Sequence, residues 1–132
     1  MIAALQPELD PETYCFVTMP EGYRSRQIGE VALAIFREEE GITFIVPQAV
    51  SYAMYLQASL PMRRIVLNVH SSLEGVGLTA AVAGTLAGAG IACNCVAAFH
   101  HDHIFVPWDR RHEAVAVLRA LADQDSRGGI TS

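Results

Sequence analysis

The fold class of this chain is decided by residues 64–89, RIVLNVHSSLEGVGLTAAVAGTLAGA. Side chains alternate from Arg64 to His70 with the period of a β-strand, and one face is expected to carry Ile65, Leu67 and Val69. Small apolar residues then recur at helical spacing, and this helix is expected to bury Leu78, Val82, Thr85, Leu86 and Ala89. The stretch therefore predicts a strand, a tight turn and a buried helix.

Downstream of this helix the sequence predicts two strands and a final helix. The triplet Gly88-Ala89-Gly90 is typical of a helix stop. Ile91 to Phe99 and His103 to Val106 are expected to form strands joined by a tight turn. Asp109 can cap the last helix, whose buried stripe is expected to contain Ala114, Val117, Leu118 and Leu121. The second half is therefore predicted to have the order β-α-β-β-α.

The start of the chain has a less regular pattern. Residues 1–12 are acidic and contain proline, and they are predicted to form an arm. Tyr14 to Met19 is rich in β-forming residues and predicts a strand. Pro20 to Gly29 is polar and turn-rich, so we expect a turn where a helix would otherwise stand.

The next segment leaves a choice between helix and strand. Glu30 to Glu39 fits both periods, and a hairpin is favoured because Glu38-Glu39-Glu40-Gly41 is a plausible turn before a strand at Ile42 to Val46. Pro47 is then expected to open a helix, which ends before Pro61. Its apolar face is predicted to contain Ala49, Tyr52, Ala53 and Leu56.

Two segments of the chain resemble each other. Phe36 to Pro47 and Phe99 to Pro107 both run from an aromatic residue through a polar turn to an apolar triplet, a proline and a predicted helix. This similarity predicts two related units side by side. We expect an incomplete first unit over residues 1–60, a second β-α-β-β-α unit over residues 61–124, and a flexible tail over residues 125–132.

Composition narrows the class of protein. The 132 residues are 52% hydrophobic with a net charge of −5, and the arginines are scattered, which disfavours nucleic-acid binding. No charged residue lies between Glu74 and Asp102, yet glycines and Asn94 interrupt that run, so a buried helix and strand explain it better than a membrane span. Three cysteines without paired spacing and a start without a signal peptide predict a soluble, cytoplasmic protein.

The turn from Ser71 to Thr79 is the strongest candidate for a binding site. It joins a buried strand to the start of a buried helix, where free N–H groups and the helix dipole favour a carboxylate or another anion. Gly75 and Gly77 would let a ligand approach the backbone, and Glu74 could meet an ammonium or guanidinium group. The alternative is an ordinary capped turn without a ligand.

The stretch from His70 to Pro107 resembles an ACT domain, a small ferredoxin-like module that binds amino acids and regulates metabolic enzymes. Together with residues 36–43, it is similar to bacterial stand-alone tandem ACT-like proteins, which are related to the CASTOR arginine sensors. The resemblance covers about residues 12–122. It implies an α/β sandwich with an antiparallel sheet and helices on one face, and a homo-oligomer that binds a small-molecule effector. It also implies no cofactor and no catalytic activity.

The same resemblance implies a set of effector contacts. These are Ser71, Ser72, Leu73, Glu74, Gly77 and Leu78 at the turn, Asn94 on the facing strand, and Phe99, His100 and Asp102 on the hairpin. The turn is longer here than the usual ACT turn, which carries an Asp before the glycine. The resemblance therefore does not identify the ligand.

Three other functions compete with an effector sensor. The run His100-His101-Asp102-His103 contains imidazole and carboxylate groups that can bind Zn²⁺, although consecutive residues in a tight turn point apart. A serine nucleophile is disfavoured because His70 and Ser71 would lie on opposite faces of a continuing strand. The remaining alternative is a structural or protein-interaction module that kept the fold and lost the ligand.

Overall fold

The computed structural model of the protein describes residues 5–68 and 76–128. Its elements are β1 (Pro7–Met19), α1 (Tyr23–Gly29), β2 (Ala34–Glu38), β3 (Gly41–Pro47), α2 (Gln48–Ala53), β4 (Met62–Leu67), α3 (Val76–Gly88), β5 (Asn94–Ala97), β6 (Asp102–Pro107), a 3₁₀ turn (Trp108–Arg110) and α4 (Arg111–Gly128). They form two compact units, one of Glu12–Met62 and the other of Met1–Pro11 with Arg63–Ser132. The predicted α/β class is confirmed.

The unit Glu12–Met62 contains the hairpin that the sequence favoured. Strands β2 and β3 pair antiparallel, with Ile35 opposite Phe44, and β3 also pairs antiparallel with β1. The segment from residue 34 to residue 38 is therefore a strand, which settles the choice between helix and strand. The core of this unit consists of Cys15, Val17, Met19, Ile28, Ile42, Phe44 and Val46.

Two predictions for this unit are wrong. A helix, α1, occupies most of the segment Pro20 to Gly29, where the sequence predicted a turn; its seven residues bury just one large apolar side chain, Ile28, so its period is faint. The apolar face predicted for α2 is the second error: Ala49, Tyr52 and Ala53 are exposed, and the buried residue is Ser51. The Ser51 hydroxyl donates to the Gln48 carbonyl at 2.7 Å, and this hydrogen bond offsets the burial of its oxygen.

The unit that contains Arg63–Ser132 has the strand order β1-β4-β6-β5, with β5 and β6 antiparallel. Helices α3 and α4 contact each other and share an apolar core with these strands. The buried residues of that core include Ile65 and Leu67 from β4, Leu78, Val82 and Leu86 from α3, Ile104 and Val106 from β6, and Ala114 and Leu118 from α4. The predicted order β-α-β-β-α is confirmed.

Three segments of this unit differ from prediction. From residue 5 onward the predicted arm belongs to the packed unit: Leu5 and Leu9 pack on the core, and β1 starts at Pro7, a position where a strand tolerates proline. Asp109 lies inside the 3₁₀ turn, where Pro107 is the N-cap and no side chain makes a capping bond, so Asp109 is not the predicted cap. Helix α4 continues to Gly128, past residue 125 where a tail was expected.

No helix among the described residues is long and apolar enough to cross a membrane. The apolar run between Glu74 and Asp102 contains α3 and β5. The boundaries expected at residues 60 and 124 stay predictions.

Candidate ligand-binding site

Four of the expected contacts, Ser71, Ser72, Leu73 and Glu74, lie outside the described residues. The other six belong to the unit that contains Arg63–Ser132. Gly77 and Leu78 lie in the first turn of α3, Asn94 begins β5, and Asp102 begins β6. Phe99 and His100 lie in the loop between these strands.

A cavity of about 70 Å³ lies between the first turns of α3 and strands β4, β5 and β6. It is lined by Leu67, Leu78, Thr79, Val82, Cys95, Val96, Ala97, Asp102 and Ile104. Four of these side chains are buried core aliphatics: Leu67, Leu78, Val82 and Ile104. Two expected contacts, Leu78 and Asp102, therefore face one apolar space.

Strand register explains how Asp102 reaches this cavity. Ala97 is opposite Asp102, and Cys95 is opposite Ile104. Because alternate side chains share one face of a strand, Asp102 lies on the same face as the buried Ile104. The carboxylate is half-buried, and no described residue donates a hydrogen bond to it.

Four of the six described contacts do not line this cavity: Gly77, Asn94, Phe99 and His100. Asn94 is opposite Phe105 and so shares a face with Phe105 rather than with Asp102 and Ile104. The Phe99 side chain is 96% exposed, and the His100 ring meets it edge-on with 5.0 Å between ring centroids. The structure thus separates the tip of the β5–β6 loop from the space that Asp102 faces.

The start of α3 leaves room above its backbone. A Cβ atom built on Gly77 would meet no atom of the described chain within 4 Å. The first four N–H groups of an α-helix have no acceptor within the helix, and they carry the positive end of the helix dipole. The first turn of α3, which adjoins the cavity, therefore favours an anionic group electrostatically.

The Cys95 side chain makes the cavity wall less reactive than a cysteine suggests. Its pKa is raised to about 11, chiefly by burial and to a smaller extent by the charge and hydrogen bond of the neighbouring Cys93 and by the Asp102 carboxylate. The side chain is therefore an uncharged thiol at neutral pH. It serves this site as a wall rather than as a nucleophile.

A polar cluster lies across β1, β4 and β6 of the same unit. The Arg64 guanidinium donates to Asp10 Oδ2 from Nε at 2.9 Å and from Nη2 at 2.6 Å, and its Nη1 lies 3.4 Å from His103 Nδ1. Burial lowers the pKa of His103, and the charges of Arg64 and His101 lower it further. The His101 and His103 ring centroids are 6.5 Å apart, and His101 Nδ1 is buried with no hydrogen-bond partner among the described residues.

This cluster bears on the metal interpretation of the run from His100 to His103. Within residues 5–68 and 76–128, no three His, Cys, Asp or Glu side chains come together so that they could hold a metal ion. The His103 nitrogen nearest Arg64 is occupied by that contact, and the His100 ring lies against Phe99. The described part of the turn therefore offers an arginine-bound histidine rather than a ligand set.

The sequence could have revealed part of this cavity. The lining residues that the sequence did not indicate as effector contacts are Leu67, Thr79, Val82, Ile104 and the β5 residues Cys95 to Ala97. Val82 follows Leu78 by four residues and Thr79 by three. Because residues three and four apart are neighbours on a helix surface, Leu78, Thr79 and Val82 lie together on one side of α3. The β5 residues depend on the pairing register with β6, which the sequence does not specify.

Comparisons with known proteins agree with this architecture. Residues 1–63 match one sequence model of an ACT domain, and residues 60–120 match another. A protein of unknown function from Vibrio cholerae, described as a possible transport protein, is 35% identical, with 92% of each chain covered and a TM-score of 0.82. No curated protein matches the chain.

More distant structures share the fold alone. An Agobacterium tumefaciens protein is 15% identical, with 88% of this chain and 87% of that chain covered and a TM-score of 0.67. The regulatory subunit of aspartate kinase from Thermus flavus is 9% identical, with 89% of this chain and 98% of that chain covered and a TM-score of 0.62.

Proposed function

Since this chain belongs to the ACT domain family and carries two such domains in tandem, we propose that it is a cytoplasmic regulatory protein that binds an amino-acid effector and catalyses no reaction. The effector occupies the site between the start of α3 and the β5–β6 hairpin. The observation that carries the proposal is the apolar cavity there, whose described lining includes the Asp102 carboxylate, to which no described residue donates a hydrogen bond.

The chemistry of this site suits a zwitterion. The effector carboxylate lies at the N-terminus of α3, near Gly77, where backbone N–H groups and the helix dipole favour an anion. Its ammonium group lies against the Asp102 carboxylate, and charge-assisted hydrogen bonds of this kind are stronger than neutral ones. The similarity to an aspartate kinase regulatory subunit supports a regulatory role.

Regulation requires that the effector favour one state of the protein over another. We propose that the chain forms a homo-oligomer and that the effector binds one arrangement of the subunits more tightly, because a ligand shifts an equilibrium only by its difference in affinity for the two states. Light scattering with and without effector tests this part: a change in mass or in dissociation constant supports it, and an identical monomer under both conditions contradicts it.

A thermal-unfolding screen against the common amino acids tests effector binding. A ligand present at about 100 times its dissociation constant adds about 2.7 kcal/mol to the free energy of unfolding. The expected result is a rise in melting temperature with a small subset of amino acids. A flat response across the whole panel contradicts the proposal and favours a module that has lost its ligand.

The variant Asp102→Asn tests the placement of the ammonium group. It keeps the shape of the side chain and removes its charge, so the effector-induced rise in melting temperature should shrink or disappear. Asp109→Asn is the matched control, because Asp109 is exposed and does not line the cavity. Equal responses of the two variants would place the effector elsewhere.

A further inference from the structure

We propose that the effector is an amino acid with a small aliphatic side chain of about three carbon atoms, which fills the cavity beside α3. This inference rests on the proposed function and names the class of effector for that site. Its basis is the volume of the cavity and the chemistry of its walls.

The volume limits the size of the side chain. The cavity measures about 70 Å³, roughly half of the ~150 Å³ of an engineered apolar cavity that accepts the six carbons of benzene. About three carbons therefore fit. The single methyl group of alanine would leave most of the space empty, valine would fill it, and phenylalanine or arginine would exceed it.

The walls exclude a charged side chain. Leu67, Val82 and Ile104 are each at most 2% exposed and present hydrocarbon to the cavity. A cationic side chain placed among them would lose its water without gaining a partner, because burying an unpaired charge is costly. Asp102 is the one carboxylate among the described lining residues, and in the proposed complex the effector's α-ammonium group already occupies it.

The cavity also gives the effector a means of stabilising the protein. An apolar cavity destabilises a folded protein in proportion to its volume, and filling it restores the lost contacts. Because the first turns of α3 and strands β4, β5 and β6 form the walls, a side chain in this space contacts every element of the site. An effector side chain that fills more of the cavity therefore makes more contacts and raises the stability of the unit further.

Affinity should rise with each carbon until the cavity is full. Burial of one CH₂ group strengthens binding about fourfold. Valine should therefore bind about 15-fold more tightly than alanine, with 2-aminobutyrate between them. Phenylalanine and arginine should bind more weakly than valine because their side chains do not fit.

Isothermal titration calorimetry with these five amino acids tests the inference on the full chain. The variant Ala97→Leu adds aliphatic carbons from the β5 wall of the cavity, and Ala98→Leu is its matched control, because both alanines are exposed and only Ala97 lines the cavity. In Ala97→Leu the 15-fold preference for valine over alanine should fall to less than threefold, whereas in Ala98→Leu it should persist. The ratio of affinities is informative even if Ala97→Leu weakens all binding.

A second variant enlarges the cavity. Val82 is 1% exposed and lines the space, so Val82→Ala should move the preferred side chain from valine to leucine. Circular dichroism verifies that this variant is folded.

The outcomes separate this inference from the proposed function. If arginine or phenylalanine binds more tightly than valine, or if Ala97→Leu keeps the full preference, the effector is not a small aliphatic amino acid, while the regulatory function stands. If no amino acid binds the unmodified chain, the proposed function fails and the inference fails with it. A valine preference that disappears in Ala97→Leu alone supports both.

Discussion

Removing one partner of the Arg64–Asp10 ion pair should destabilise the protein far more than loss of a surface ion pair. The two side chains are 19% and 12% exposed, and two guanidinium N–H groups donate to one carboxylate oxygen at 2.9 and 2.6 Å. Exposed pairs contribute about 0–1 kcal/mol, whereas removing one partner of a fully buried pair costs about 3–5 kcal/mol. This pair lies between those limits, so Arg64→Met should cost about 2–3 kcal/mol.

A double-mutant cycle measures the interaction itself. Arg64→Met, Asp10→Asn and the double variant are unfolded with urea at neutral pH, and the coupling energy is obtained from the four free energies of unfolding. We expect a coupling of about 2 kcal/mol, because most of each side chain is withdrawn from water. The cycle is needed because other groups also contact both residues. A coupling below about 0.5 kcal/mol would refute the reasoning, since that is the value of a solvent-screened pair.

The remaining predictions concern the imidazole beside that pair and two glycines. Burial and the charges of Arg64 and His101 lower the pKa of His103 in the folded protein below its ordinary value of 6.5, and the Asp102 carboxylate opposes this only in part. As the pH falls through 6.5, the unfolded chain therefore binds the His103 proton before the folded protein does. The free energy of unfolding should therefore decrease as the pH falls from neutral toward the pKa of folded His103. Urea unfolding at several pH values should show a shallower decrease in His103→Gln, and an unchanged decrease in the control His112→Gln, whose ring is exposed. Gly41→Ala should lower the free energy of unfolding by about 1–3 kcal/mol, because Gly41 has φ +154° and an added Cβ would lie 3.0 Å from the Met19 carbonyl oxygen. Gly84→Ala should raise the free energy of unfolding by about 0.5–1 kcal/mol, because Gly84 lies in α3 with no described atom near the added methyl group; equal effects of the two glycine variants would contradict both explanations.

Local periodicity made the second half of the chain predictable. Leu78, Val82 and Leu86 repeat at helical spacing, and all three are buried in the core. Ile65 and Leu67 alternate along β4 and are buried as expected. The signal was strong there because each element buries several apolar residues on one face.

The elements that the sequence did not predict lack such a periodic apolar face. Helix α1 is held by local polar bonds, since the Ser25 hydroxyl donates to the Gly22 carbonyl and accepts from the Gly22 N–H group, both at 2.8 Å. Such bonds leave little trace in a hydrophobic pattern. The start of β1 was likewise missed because its partners are distant in sequence: Arg63 donates to the Asp10 carbonyl oxygen from 53 residues away.

The candidate site was predictable only in part. The sequence indicated the start of α3 because a strand, a glycine-rich turn and a helix follow one another there, and Leu78 lines the cavity. Asp102 came from the family resemblance, and the pairing of Ala97 with Asp102 explains its position. The wall formed by Cys95 and Ala97 depends on that register, and a change of one residue would turn both side chains to the other face.

The central claim is that an amino acid binds between α3 and the β5–β6 hairpin. The most direct test is a ¹H–¹⁵N and methyl NMR titration of the full chain with a mixture of the common amino acids, followed by the single components that produce a change. We expect shifts that saturate together at the Leu78 and Thr79 amides and at the Val82 and Ile104 methyl groups, which line the cavity. Unchanged spectra, or shifts confined to residues 12–62, would contradict it.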